Sequence, residues 1–394
     1  MNASEVENTN LPFELSEYEG RLRKVREKMV DEGVEVMIVT SPTNMYYLTG
    51  YNTFSFYIPQ FLVLPLDEDL FMVPRSLDNS SVLETTWLSQ DMIRPYGEDY
   101  IDHYHNYKEP RHPVEYLIEL LQEEGLADSV FGLEMDDFYG RALYYKKLSE
   151  KLTDASFHDQ TQLIPRLYLV KSEAEVEYMR EASRIVEEGM EAALNMIEEG
   201  VTEYEVAAEI LNVMIKSGSC SPSFPPLLQT SAACHVTWTD KNIREGTSVS
   251  IEIAGCRKRY QSPMCRTAIV AKESSSVVRR ARDVMKRQIE AHRKALATIE
   301  PGIKAERVAI EANKIFDKRS SRVGYPSGLG FPPDWGEHTA SFQEGDQTVL
   351  QPNMTFHALS TLADPFMIEF GETVRVTEGG AEVLVDFPRK LFVK

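Results

Sequence analysis

The stretch IEEGVTEYEVAAE beginning at Ile197 recurs as IEPGIKAERVAIE beginning at Ile299. Each copy places a glycine between two segments of helical periodicity, the pattern of one helix stopping and another starting. Strand-like segments follow both copies: TSVSIEIAG and MCRTAIVA after the first, MTFHALSTL and ETVRVTE after the second. A chain that repeats helices and then strands has two equivalent apolar faces to bury. Relating the halves by a pseudo-twofold would bring strand residues of both to one central cleft, where a ligand site is expected.

The remaining chain is organised differently. Residues 17–33 have the pattern of a surface helix, and EVMIVT (35–40) that of an apolar strand before a turn at Ser41-Pro42-Thr43-Asn44. FLVLPL from Phe61 predicts a second strand and residues 114–124 a further helix, which makes an α/β N-terminal domain. With 394 residues the chain has room for two cores, and LIPRLYLVKSEAEVEYM (163–179) is the joint, so the expected domains are 1–165 and 166–394. Ser172 and Glu175 form a capping box, and Val176, Met179, Ile185, Val186, Met190, Leu194 and Ile197 share one face of the helix that follows. Gly200 is expected to end that helix, and Thr202 with Glu205 to cap the next.

Composition narrows the function. Lys plus Arg number 42 against 62 Asp plus Glu, a net charge of −20, which argues against a nucleic-acid partner. No apolar run is long enough to span a membrane, and the start MNASEVENTNLPFELSE is polar and acidic, so a cytoplasmic protein with no membrane partner is expected. Cys220, Cys234, Cys256 and Cys265 lack the tight spacing of a zinc site or redox pair, and reduced packing thiols are the expectation. Phosphate-cradling loops, a nucleophile elbow and HExxH are absent from the sequence.

One acid stands out. In VSIEIAG, period-two alternation puts Ser250, Glu252 and Ala254 on one strand face and Val249, Ile251 and Ile253 on the other. Pro263, whose side chain has no donor or acceptor, follows shortly after.

SPTNMYYLTGY (41–51), LVKSEAEVEYMREA and the segment from His235 to Thr267 resemble the creatinase, prolidase and methionine aminopeptidase family over nearly the whole chain. The resemblance implies an α/β N-terminal domain followed by an α+β pita-bread catalytic domain with internal pseudo-twofold. In its metallopeptidase members five side chains hold two metals, and the matching positions here are Glu252, Pro263, Ser327, Leu359 and, across an uncertain gap, Gly371. Proline, leucine and glycine side chains offer no charged oxygen, so no catalytic metal and no cofactor are expected. VGYPSGLGFPPDWGEHTASF (323–342) and the ending TEGGAEVLVDFPRKLFVK resemble the ectoine hydrolases of this family. That implies metal-independent C–N hydrolysis of a cyclic amidine, a small zwitterion, to N-acetyl-2,4-diaminobutyrate. The alternatives are an Xaa-Pro dipeptidase-like metallopeptidase and a catalytically silent binding module of the same fold. The resemblance also implies a homodimer in which a loop carrying Phe54, Phe56 and Tyr57 closes the partner's site, the alternative being that these aromatics pack on their own domain.

Hydrolysing an amidine takes a nucleophile, a proton shuttle and negative charge to hold the cation. Glu252 is expected as nucleophile or general base, and His235, by its match to the histidine of creatinase, as shuttle. His338 and His357 are candidates to enter the cleft from the second half. Asp334 and Glu337 either hold the cationic end of the ligand or cap a loop, and Glu369 or Glu372 replaces a lost glutamate. Trp335 and Trp238 serve as aromatic walls or as core, and Arg266 or Arg375 could anchor the ligand carboxylate.

Overall fold

Ile197 and Ile299, the matching residues of the two copies, leave their helices with nearly the same backbone: φ −70°, ψ 111° and φ −68°, ψ 112°. Gly200 and Gly302 then turn at φ 95° and 88°, a region open to glycine at no steric cost. The echo is therefore one structural unit built twice. The computed structural model describes residues 11–97, 100, 111–230, 235–316, 322–363 and 367–394. It divides into two compact units, Met1–Tyr168 and Leu169–Lys394.

The first unit holds helices α1 (Leu15–Glu32), α2 (Pro42–Thr49), α3 (Asn79–Thr85), α4 (Pro113–Glu123), α5 (Ala142–Lys151) and α6 (Pro165–Tyr168). Its strands are β1 (Val36–Val39), β2 (Phe61–Pro65), β3 (Phe71–Val73), β4 (Val130–Leu133) and β5 (Ser156–Asp159), in the order β3-β2-β1-β4-β5. The expected turn at 41–44 is instead the start of α2. Pro42 sits at its first position, where a missing N–H costs nothing, and the buried Glu134 carboxylate accepts the N–H groups of Thr40 (2.6 Å) and Ser41 (2.7 Å). A distant acid thus caps a helix that local sequence could not announce.

The second unit holds α7 (Glu173–Met196), α8 (Glu203–Lys216), α9 (Ser276–Thr298) and α10 (Ala305–Asn313). Its strands are β6 (Leu227–Gln229), β7 (Ser248–Arg257), β8 (Tyr260–Ile269), β9 (Gly324–Pro326), β10 (Thr355–Ala363), β11 (Met367–Thr377), β12 (Gly380–Val383) and β13 (Phe392–Val393). The sheet runs β6-β7-β8-β11-β10-β9, joining the strands of the two copies through β8 and β11. Both capping boxes form, and Glu175 does double duty: its second oxygen accepts Tyr260 Oη at 2.6 Å, tying α7 to the start of β8. Helix α7 ends at Met196 rather than at Gly200, because the chain already turns extended at Ile197. All seven residues of the expected α7 stripe are buried, and Val249, Ile251 and Ile253 pack in one core with its second half. A separate core joins α9 and α10 to β10 and β11. With one sheet face covered by helices, Glu252 and its alternates are left to the other. Among the described residues no helix is long and apolar enough to cross a membrane.

Candidate active site

The sheet aligns Glu252, Cys265, Gly371 and Leu359 in one row across β7, β8, β11 and β10. Three of these are positions where the resemblance implied metal ligands. A Cβ at Gly371 would fall 2.7 Å from His357 Nε2, so the missing side chain is what admits the imidazole. His357 is fully buried, with Nε2 3.6 Å from Cys265 Sγ and Nδ1 3.8 Å from Glu252 Oε1. Its Nδ1 also lies 3.1 Å from Tyr325 Oη, which accepts a hydrogen bond from Trp335 Nε1 at 2.8 Å.

Glu369 stands on β11 on the Ser250 side of this row, where Ser250 Oγ donates to it at 2.7 Å. Its backbone N–H donates to Thr267 Oγ1 at 2.9 Å. Two buried acids in one small volume cannot both ionise cheaply. Burial, then the charge of Glu369, pushes Glu252 up to about 8, and burial raises Glu369 as well. Burial, then neighbouring cationic groups, depresses His357 to about 3, which makes it a neutral imidazole. Cys265 is held far above its usual range, first by burial and then by Glu252, and is a thiol rather than a thiolate.

Outside this cluster opens a cavity of about 620 Å³, lined among others by Phe224, His235, Arg322, Tyr325, Asp334 and His338. His235 is exposed, adopts φ 55°, and when protonated would favour the ionised form of Glu369. His338 Nε2 pairs with Asp334 Oδ2 at 3.0 Å. Arg322 lies over the Tyr325 ring, its Cζ 4.6 Å from the centroid, and its charge reaches Glu252 and His357.

Several expected site residues do other work. Glu337 is fully buried against Lys171 Nζ at 2.6 Å, since only an opposite charge makes such burial tolerable. Trp335 is core, packed edge-on to Phe224 at 4.7 Å, and its Nε1 donates to Tyr325 Oη of the cluster. Trp238 packs partly buried on the α7 core. Arg266 points to the opposite sheet face, donating to the carbonyls of Cys265 and Gly371 at 2.9 Å each and to Glu372 at 3.0 Å. Glu372, also bonded by His292 and Arg389, belongs to that network and not to the site. Arg375 is engaged by Asn353 and Glu173. By contrast, Phe54 and Tyr57, expected to close a partner's site, stand 68% and 56% exposed in the first unit, Tyr57 also lining an apolar cavity there. Tyr325 and Arg322 were not singled out in the sequence. The alignment of Tyr325 with His357 across β9 and β10 was the signal, and it exists only once the strands pair.

A dinuclear metal centre does not fit this donor set, because Pro263, Leu359 and Gly371 supply nothing to balance two dications. Among the described residues Glu252, Cys265 and His357 have donor atoms within 4.8 Å of one another, a set for one ion at most.

Residues 177–378 match the metallopeptidase family M24, and residues 21–170 the creatinase/prolidase N-terminal domain. The chain is 37% identical over 98% of its length to a protein of Halomonas elongata named ectoine hydrolase, covering 99% of that protein. It is 24% identical to an Xaa-Pro dipeptidase of Pyrococcus furiosus, over 94% of this chain and 99% of the other. Among solved structures, a prolidase from Thermococcus sibiricus superposes with a TM-score of 0.80 at 21% identity, covering 96% of this chain and 99% of that one. An X-Pro aminopeptidase from Thermotoga maritima superposes at 0.78 and 18% identity, covering 95% and 99%.

Proposed function

Since the chain belongs to metallopeptidase family M24, in the form that carries the creatinase/prolidase N-terminal domain, and is a hydrolase, we propose that it opens the cyclic amidine ring of ectoine. The product is N-acetyl-2,4-diaminobutyrate, and the reaction runs without metal. The observation that carries this is a buried carboxyl, Glu252, at a position where the resemblance implies a metal ligand, in a row whose two other such positions are Gly371 and Leu359, which carry no ligating side chain.

An amidinium carbon about 4 Å from a carboxylate gains roughly 4 kcal/mol at an effective dielectric near 20. Burial raises Glu252 to about 8, and the incoming cation therefore draws off its proton, which passes to solvent. The carboxylate then takes a proton from a water that adds to the amidine carbon, or attacks that carbon itself and forms an adduct that a water afterwards cleaves, freeing Glu252; by either route water supplies the new oxygen and a ring C–N bond breaks. His235 at the cavity wall returns a proton to the leaving nitrogen. Asp334 and His338 orient the ligand from the second half, and Arg322, the guanidinium among the lining groups, holds its carboxylate. Neutral His357 positions Glu252 and takes no charge itself. The same proposal carries a homodimer, to be checked by light scattering.

Proton NMR of ectoine incubated with the purified chain and chelator tests the function, with ring opening to the acetylated diamine as the expected outcome. An unchanged ring sinks it. Undiminished turnover by Glu252→Gln removes the mechanism while leaving the substrate standing.

A further inference from the structure

Cys220 and Cys256 are far apart in sequence, which argued against a thiol pair, yet the fold sets their sulfurs 3.1 Å apart. The segment after α8 crosses the end of β7, and the N–H of Cys220 donates to the carbonyl of Cys256 at 2.8 Å. Ser219 Oγ accepts the N–H of Cys256 at 3.2 Å, so the two backbones are held on both sides of the contact. Cys256 is buried and Cys220 half-buried, so of the two residues Cys220 lies nearer to solvent.

We propose that Cys220 and Cys256 form a dithiol site for peroxide, with Cys220 the attacked and Cys256 the resolving sulfur. The Cys220 thiolate attacks one oxygen of hydrogen peroxide, the O–O bond breaks, and hydroxide leaves to become water, giving a sulfenic acid. Cys256 sulfur then attacks the sulfenic sulfur. The S–O bond breaks, an S–S bond forms, and the departing hydroxide takes the Cys256 proton as a second water. Two electrons pass from the sulfurs to peroxide, so the step balances with no other oxidant. Closing 3.1 Å to a bond near 2.05 Å needs a shift of only about 1 Å. Hydrogen bonding from Cys256, then against burial the backbone N–H and the charge of Arg259, lower Cys220 to about 6, while burial keeps Cys256 a thiol. Cys265 lacks this chemistry, being buried beside an acid.

The link would join β7, which carries Glu252, to the segment that carries Phe224, a wall of the site cavity. Ser223 of that segment already hydrogen-bonds Gln261 of β8, so the covalent bond would reinforce an existing seam. The full chain is treated with a few equivalents of peroxide, blocked with maleimide and digested without reduction. Mass spectrometry is expected to find the 220 and 256 peptides joined, lighter by two hydrogens than their sum, and separated by dithiothreitol. Cys220→Ser and Cys220→Ala, at the partly exposed position, should abolish the link and leave Cys256 blocked only after unfolding. Recovery of both thiols as maleimide adducts after peroxide overturns the site. So does Cys220 driven to sulfinic acid beside a reduced Cys256.

Discussion

His357 fills the space that a side chain on Gly371 would need, its Nε2 lying 2.7 Å from where a Cβ would stand. Leu359 Cβ would be 2.8 Å from the same point, so the pocket is closed from two sides. Glycine at 371 leaves room for the imidazole, and any side chain placed there would have to displace it. Because the ring bridges Cys265, Tyr325 and Glu252, the geometry of the whole cluster rests on a residue with no side chain.

Gly371→Ala should therefore displace His357 and lower stability by about 1–3 kcal/mol, the usual cost of overpacking. Turnover of ectoine should fall with it. Thermal melts and ring-opening rates of the variant check this, and a variant equal to wild type in both would break the link between the two residues.

Glu252 has a folded pKa raised from 4.5 to about 8, chiefly by burial. The sign follows from linkage: between these values the folded state binds more protons than the unfolded, so its stabilising share is complete below the lower value and is lost as pH rises toward the upper. Glu369, raised in the same direction, adds to the trend. The wild-type melting temperature should drop between about pH 5 and 9 more than that of Glu252→Gln. In the free enzyme kcat/KM should climb with pH through about 8, since either role of Glu252 needs the carboxylate. A flat profile, or parallel melting curves for the two proteins, would contradict the burial of an ionisable group.

Arg322 and Arg266 should separate cleanly. Arg322→Met removes a cavity guanidinium and should raise KM for ectoine about tenfold or more, worth at least ~1.4 kcal/mol, with little change in the melt. Arg266→Met leaves Glu372 buried without one of its partners and should cost about 3–5 kcal/mol of stability. Steady-state kinetics and denaturant titration of both variants decide the matter; the reverse pattern would return the ligand carboxylate to Arg266.

Extensive dialysis against chelator should leave ring-opening activity within about twofold of the starting value. Elemental analysis of freshly purified protein should find less than one equivalent of transition metal per chain. Two equivalents, with activity lost on their removal, would restore the metallopeptidase alternative, and one equivalent would point to Glu252, Cys265 and His357.

Periodicity exposed the α7 stripe, the capping boxes and the doubled helix pair, because these depend on residues a few places apart in the chain. Alternation likewise set Glu252 opposite the Val249, Ile251 and Ile253 face. The α2 helix stayed hidden because its cap, Glu134, lies some ninety residues downstream.

The sequence by itself determined the two-part architecture, the repeat, and the lack of a charged oxygen donor at Pro263, Leu359 and Gly371. Only the tertiary structure decided which charged residues face the cavity. Arg266 and Glu337 look as available as Arg322 and Asp334 in one dimension, yet the first two are neutralised in the interior and the second two open to the cleft. The reason is that a buried charge survives only with a partner, and partners such as Lys171 for Glu337 or Glu372 for Arg266 are brought together by strand register and helix packing, not by neighbouring positions in the chain.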